Sequence, residues 1–124
     1  VGILMGTFSP QADRIESLAE VPPPSDNDPL SQGRYLVMTA CSECHGGRLE
    51  GWSLIGAPNL AIAAAYQDAD FMKLMREGKG LGDRNLGLMS KVAQARFSHF
   101  TDEEIRAMWS YLDAFAKNGG AALP

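Results

Sequence analysis

Cys41-Ser42-Glu43-Cys44-His45 holds both of the chain's cysteines and one of its two histidines. Two thiols three positions apart stand about one turn apart if the segment is helical, and an imidazole follows directly. A closed zinc site needs four ligands. Beyond this stretch only His99 remains as a strong one, and His45 adjoins Cys44 too closely for comfortable joint chelation. A redox dithiol of the same spacing belongs in a strand-bearing fold, and a structural disulfide belongs in an exported protein. The reading that uses all three side chains is the Cys-x-x-Cys-His attachment signature of a c-type haem. Cys41 and Cys44 then reach the two vinyl groups on one porphyrin edge, and His45 turns its ring toward the iron.

Outward from this motif the pattern is helical. A helix is expected from Leu30 to about Thr39, with Tyr35, Leu36 and Met38 as buried positions. Cys41 to Leu60 carries several glycines and Pro58, so it reads as loop after its first turn. Asp68 or Asp70 is placed to cap a helix whose apolar positions Phe71, Leu74 and Met75 fall at i, i+3, i+4, with Gly78 as its stop. Residues 79–98 are glycine-bearing and weakly periodic. The last helix is the clearest: Thr101-Asp102-Glu103-Glu104 forms a capping box. Ile105, Met108, Trp109, Leu112 and Phe115 or Ala116 then share one face. No period-two stretch is convincing, so the fold class is all-α.

The sequence has 124 residues, 45% of them hydrophobic, enough for one domain with one thin core. A core of that size gains from a covalent or metal staple. Residues 1–30 read as an N-terminal arm and linker. Ser9-Pro10 starts a short stripe of Ile15, Leu18 and Ala19, and Val21 to Pro29 is extended and proline-rich. Residues 31–118 form the domain and 119–124 a flexible tail. The net charge of -4 comes from the flanks: residues 41–100 carry seven bases against six acids. No basic stripe interleaved with aromatics suggests nucleic acid. No run approaches the roughly 18–20 apolar residues of a membrane span. Val1 to Met5 lacks the basic start of an export signal. Because haem is attached covalently outside the cytoplasmic membrane, a removed export signal and a periplasmic location are expected.

For a second iron ligand the candidates are Met5, Met38, Met72, Met75, Met89, Met108 and His99. Met38 lies three residues before Cys41, on the wrong side of the ring. Met72 and Met75 lie on the helix before Gly78, and Met108 on the core face of the last helix; core filling explains all three. Met89 follows Gly87-Leu88 in what reads as a loop, with no helical face to explain it. It is the expected ligand, with His99 or an open iron as the alternatives. Leu36, Leu54, Leu60, Phe71, Leu74, Leu88 and Trp109 are candidates for the apolar wall, and Arg48 and Arg84 read as plain surface charges.

The sequence resembles class I cytochromes c. Gly33-Arg34-Tyr35-Leu36-Val37, Cys41 to His45, Ala57-Pro58-Asn59-Leu60, Leu88-Met89-Ser90 and Glu104 to Leu112 match that family in order and spacing, over roughly 31–116. The resemblance implies three to five helices packed around one covalent haem c, with Cys41, Cys44, His45, Pro58 and Met89 binding the cofactor and His45 and Met89 as iron ligands. It implies that the Pro58 carbonyl accepts the imidazole Nδ1–H, and that Gly33 allows a close helix crossing opposite Tyr111. Gly87 to Trp109 is similar to cytochrome domains that serve membrane-bound dehydrogenases and dihaem carriers. The arm and proline linker resemble the junction before a second haem domain. A lysine-rich rim of the mitochondrial type is missing. The implied role is electron transfer rather than enzymatic turnover, with a dehydrogenase, another cytochrome domain or an oxidase as partner. A haem-based sensor or enzyme with an open axial site is the alternative.

Overall fold

The computed structural model describes residues 21–121 and 123. The expectations for Met5, Ser9-Pro10, Ile15, Leu18 and Ala19 lie outside the described residues. Five α-helices stand among those described: α1 (Ser31–Ala40), α2 (Ser42–His45), α3 (Asp68–Glu77), α4 (Leu88–Ala95) and α5 (Asp102–Lys117). Short 3₁₀ turns lie at Ser53–Ile55, Leu60–Ala65, Leu81–Asp83 and Phe97–His99. The described residues form no strand, only isolated bridges between Trp52 and Ala57 and between Lys79 and Asn85. The fold is all-α.

The principal helix contact is α1 against α5. It is close because Gly33 has no side chain: a Cβ there would stand 2.0 Å from the Ala107 carbonyl oxygen and 3.0 Å from Tyr111 Cβ. This contact sets which face of α1 is inside. Gly33 and Val37, one turn apart, are buried, Leu36 and Met38 are half-buried, and Tyr35 is exposed. The expectation that Tyr35 is buried is therefore wrong. It sits about 200° around the helix from Gly33, so a helix docked through Gly33 turns Tyr35 to solvent.

α5 begins where its capping box places it. Glu104 N–H donates to Thr101 Oγ1 (3.1 Å) and Thr101 N–H donates to Glu104 Oε1 (2.8 Å). Its buried face is Ile105, Met108, Tyr111, Leu112 and Phe115. α3 is capped by Gln67 rather than by either aspartate. Asp70 instead lies inside the first turn and accepts from Gln67 N–H at 2.9 Å. Phe71, Leu74 and Met75 are buried, and Gly78 closes the helix with φ +72°.

α4 is a correction to the reading of residues 79–98. Gly87, with φ +67°, turns the chain into a helix of eight residues, too short for a period to declare itself. No Ser, Thr, Asp or Asn stands at its cap. The buried hydroxyl of Ser90 holds the turn from inside by accepting from Leu86 N–H at 2.7 Å.

Candidate cofactor site

α2 is a single turn, and it holds the motif in register. The N–H groups of Cys44 and His45 both donate to the Cys41 carbonyl, at 3.2 and 2.9 Å. Ser42 Oγ donates to the Met38 carbonyl, fastening this turn to the end of α1. Cys41, Ser42 and His45 are buried, and Cys44 is half-buried. Both cysteines are free of any disulfide. Burial pushes the Cys41 thiol up to about 12, with the neighbouring Cys44 acting in the same direction. An unmodified Cys41 is thus a neutral thiol at physiological pH.

The His45 ring is fixed from behind: Nδ1 lies 2.8 Å from the Pro58 carbonyl oxygen. A carbonyl only accepts, so Nδ1 carries the proton and Nε2 keeps its lone pair free for a metal. Pro58 reaches this place through a loop closed on itself. Gly51 N–H donates to the His45 carbonyl (2.7 Å), Trp52 and Ala57 exchange backbone hydrogen bonds (2.8 and 3.1 Å), and Leu60 N–H donates to the Leu49 carbonyl (2.9 Å). The two arms of this loop cross at Gly51. A Cβ there would meet Ala57 O, Asn59 N and Pro58 C at 2.8 to 2.9 Å.

Four of the expected residues, Cys41, Cys44, His45 and Pro58, are therefore brought together. Met89 comes from a separate element. It stands in the first turn of α4, not in a loop, and is half-buried against the same core. Of the other candidates, Met75 and Met108 are buried core members, Met38 and Met72 are half-buried, and His99 is exposed in the 97–99 turn. Within the apolar-wall set, Phe71 and Leu74 are buried and Leu36, Leu60 and Trp109 half-buried, while Leu54 and Leu88 are exposed. Arg48 and Arg84 are exposed, as surface charges should be. The sequence reading missed the roles of Ser42, Gly51 and Ser90. Only Gly51 carried a signal, as a glycine inside a loop rich in them.

The donor set suits a haem better than a bare metal ion. Among the described residues no three His, Cys, Asp or Glu side chains converge on a point that could hold an ion. There are instead two thiols on one turn, one free imidazole nitrogen, and a thioether on another helix. Two thiols at the ends of one turn can attach a planar group by its edge, and imidazole and thioether are haem-iron ligands.

A family model described as Cytochrome c matches residues 30–115. The chain belongs to the cytochrome c family. No curated protein and no solved structure gives a match. As a cytochrome c the chain binds covalent haem c with its iron, and its chemistry is haem-based electron transfer with redox partners. No helix of this cytochrome, among the described residues, is long and apolar enough to cross a membrane.

Proposed function

We propose that this cytochrome is a periplasmic one-electron carrier whose haem is bonded to Cys41 and Cys44 and ligated by His45 and Met89. It relays electrons from a dehydrogenase or quinol-oxidising complex toward a terminal oxidase. The observation that carries the ligand reading is the 2.8 Å contact between His45 Nδ1 and Pro58 O. It leaves one free ring nitrogen, on a side chain that directly follows both thiols. When bound, the haem supplies an iron that cycles between Fe(II) and Fe(III).

The remaining work is done by the chain. Pro58 fixes the tautomer and orientation of His45 and makes its free nitrogen a better donor. The Met89 thioether favours Fe(II) and so raises the potential relative to two imidazoles. Ser90, buried beside Met89 and bonded to Leu86 N–H, keeps the first turn of α4 in place. Burial of His45 and Cys41 holds the attachment point away from water, which also disfavours the more highly charged Fe(III). The dehydrogenase partner is supported by the likeness of Gly87 to Trp109 to dehydrogenase-associated domains.

The test is spectroscopic. The oxidised protein should show the weak near-infrared sulfur-to-iron band, and Met89→Ala should abolish it, lower the potential and let carbon monoxide bind the reduced form. Ready carbon monoxide binding by the unaltered protein would overturn six-coordination and favour the open-site alternative. A potential unmoved by Met89→Ala would remove Met89 from the iron. Recovery of the haem-bearing protein in a periplasmic fraction tests the location.

A further inference from the structure

Met89 is carried by a helix that cannot hold itself in place. The eight residues of α4 are too few for a helix to be stable alone, so its position is set by what it docks on. Among the helices its principal neighbour is α3. The chain passes from one to the other through a loop that folds back on itself: Gly80 N–H donates to the Arg84 carbonyl at 2.8 Å, and Lys79 bridges to Asn85.

Two adjoining stripes of α4 divide the work. Met89 and Ala93, one turn apart, pack against the core, and Ala93 is fully buried. Ser90 and Gln94, also one turn apart, lie over Gly78 at the end of α3. A Cβ on Gly78 would stand 2.6 Å from the Ser90 carbonyl oxygen and 3.0 Å from Gln94 Cγ, so the contact needs a residue without a side chain at 78. Across it Gln94 Nε2 donates to the Glu77 carbonyl at 2.9 Å. Glu77 is the last residue of α3, and its carbonyl is one of the four that a helix end leaves without an internal partner. Gln94 itself is exposed, so filling the core does not explain it.

We propose that Gln94 is a positioning residue for the second iron ligand: by fastening α4 to the end of α3 it holds Met89 against displacement. Given Met89 on the iron, as proposed above, any outside ligand must push the first turn of α4 aside. A regular helix this short moves as one rod, and the push also breaks the Gln94 hydrogen bond. The cost of breaking it is subtracted from the affinity of the incoming ligand. An iron kept closed in this way stays an electron carrier and does not become a ligand-binding centre.

Imidazole is the probe, titrated into the oxidised haem-loaded protein while the near-infrared sulfur-to-iron band is followed. Gln94→Met keeps a side chain of the same length over Gly78 and removes the donor. It should retain the band without imidazole and raise the imidazole affinity about five-fold, the factor that corresponds to a net hydrogen bond of about 1 kcal/mol. Gln94→Lys returns a donor to the end of α3, where the helix dipole favours a cation, and should bring the affinity back toward that of the unaltered protein. Lys91→Met, on the exposed side of the same helix, should leave it unchanged. Equal imidazole affinity in Gln94→Met and the unaltered protein, with the band present in both, would overturn the positioning role and leave Met89 on the iron. A rise of the same size in Lys91→Met, or one that Gln94→Lys does not reverse, would also overturn it. A band missing from the unaltered protein would remove Met89 from the iron and the role of Gln94 with it.

Discussion

His45 and Gly33 show how single positions decide this molecule. His45 is useful because one of its nitrogens is already occupied, and the residue that occupies it is thirteen positions away in a loop. That loop closes only because Gly51 lets its two arms cross. Gly33 does the same for the helices. Its missing Cβ is the space that the Ala107 carbonyl fills. Gly33→Ala should therefore force α1 and α5 apart and cost about 3 kcal/mol, at the upper end of the usual overpacking penalty. Denaturant unfolding of the haem-loaded protein measures it. A loss under about 0.5 kcal/mol, the scale of an ordinary surface substitution, would mean that the crossing relaxes freely. The motif from Cys41 to His45 could be read from sequence because its chemistry is local. The Pro58 hydrogen bond could not be read from spacing alone, since it depends on a loop path, and it came only from the family likeness.

Between elements, the same contrast separates what was legible from what was not. α5 declared itself by a capping box and four turns of period 3.6. α4 did not, because eight residues begun by a glycine carry neither signal, and so Met89 read as a loop residue. On α1, composition named apolar residues but not their direction, which the contact with α5 sets. The capping box is testable: Thr101→Ala should cost about 1 kcal/mol, a fall in Tm of about 4–8 °C for a domain of this size, whereas Thr101→Ser should cost little. A second join has no sequence signal. Arg76 donates to the Ser98 carbonyl and to Asp102 Oδ1, both at 2.6 Å, tying α3 to the start of α5. The hydrogen bond from Arg76 holds the Asp102 carboxyl below its ordinary 3.8, and Lys73 does the same to Asp83. In both pairs the unfolded chain takes up the proton first. The stabilisation is therefore complete above pH of about 4 and fades as pH falls through the lowered values. Asp83→Asn with Asp102→Asn should make the acid limb of the stability profile shallower and leave its shape above pH 5 unchanged (about one unit above the carboxylate range). These carboxylates are exposed, so the change should be small and should shrink further in salt.

At the scale of the whole molecule the attachment point and the core are one object. Cys41 belongs to the same buried cluster as Val37, Leu49 and Phe115, and His45 is 8% exposed. A chain of this size has a thin core, and the proposed attachment bonds a porphyrin edge to one of its members. Folding and haem attachment should therefore be coupled. In Cys41→Ser with Cys44→Ser, the pigment should become extractable by acid acetone, because no thioether remains. The pigment-free chain should keep part of its far-ultraviolet helical signal and lose the near-ultraviolet signal of fixed packing around Trp109 and Phe71, whose ring centroids lie 5.7 Å apart. That pattern is the mark of a compact state without specific tertiary order. The serine hydroxyls are close in size to the thiols they replace, so a cavity is not the cause, and a buried hydroxyl at position 41 adds only a local cost. The Cys44→Ser single variant separates the two effects: it changes a half-buried position and keeps one tether. It should retain most of the near-ultraviolet signal together with its colour. If the double variant instead melts as sharply and at the same temperature as the haem-loaded protein, the helices hold their packing unaided, and folding is not coupled to haem attachment.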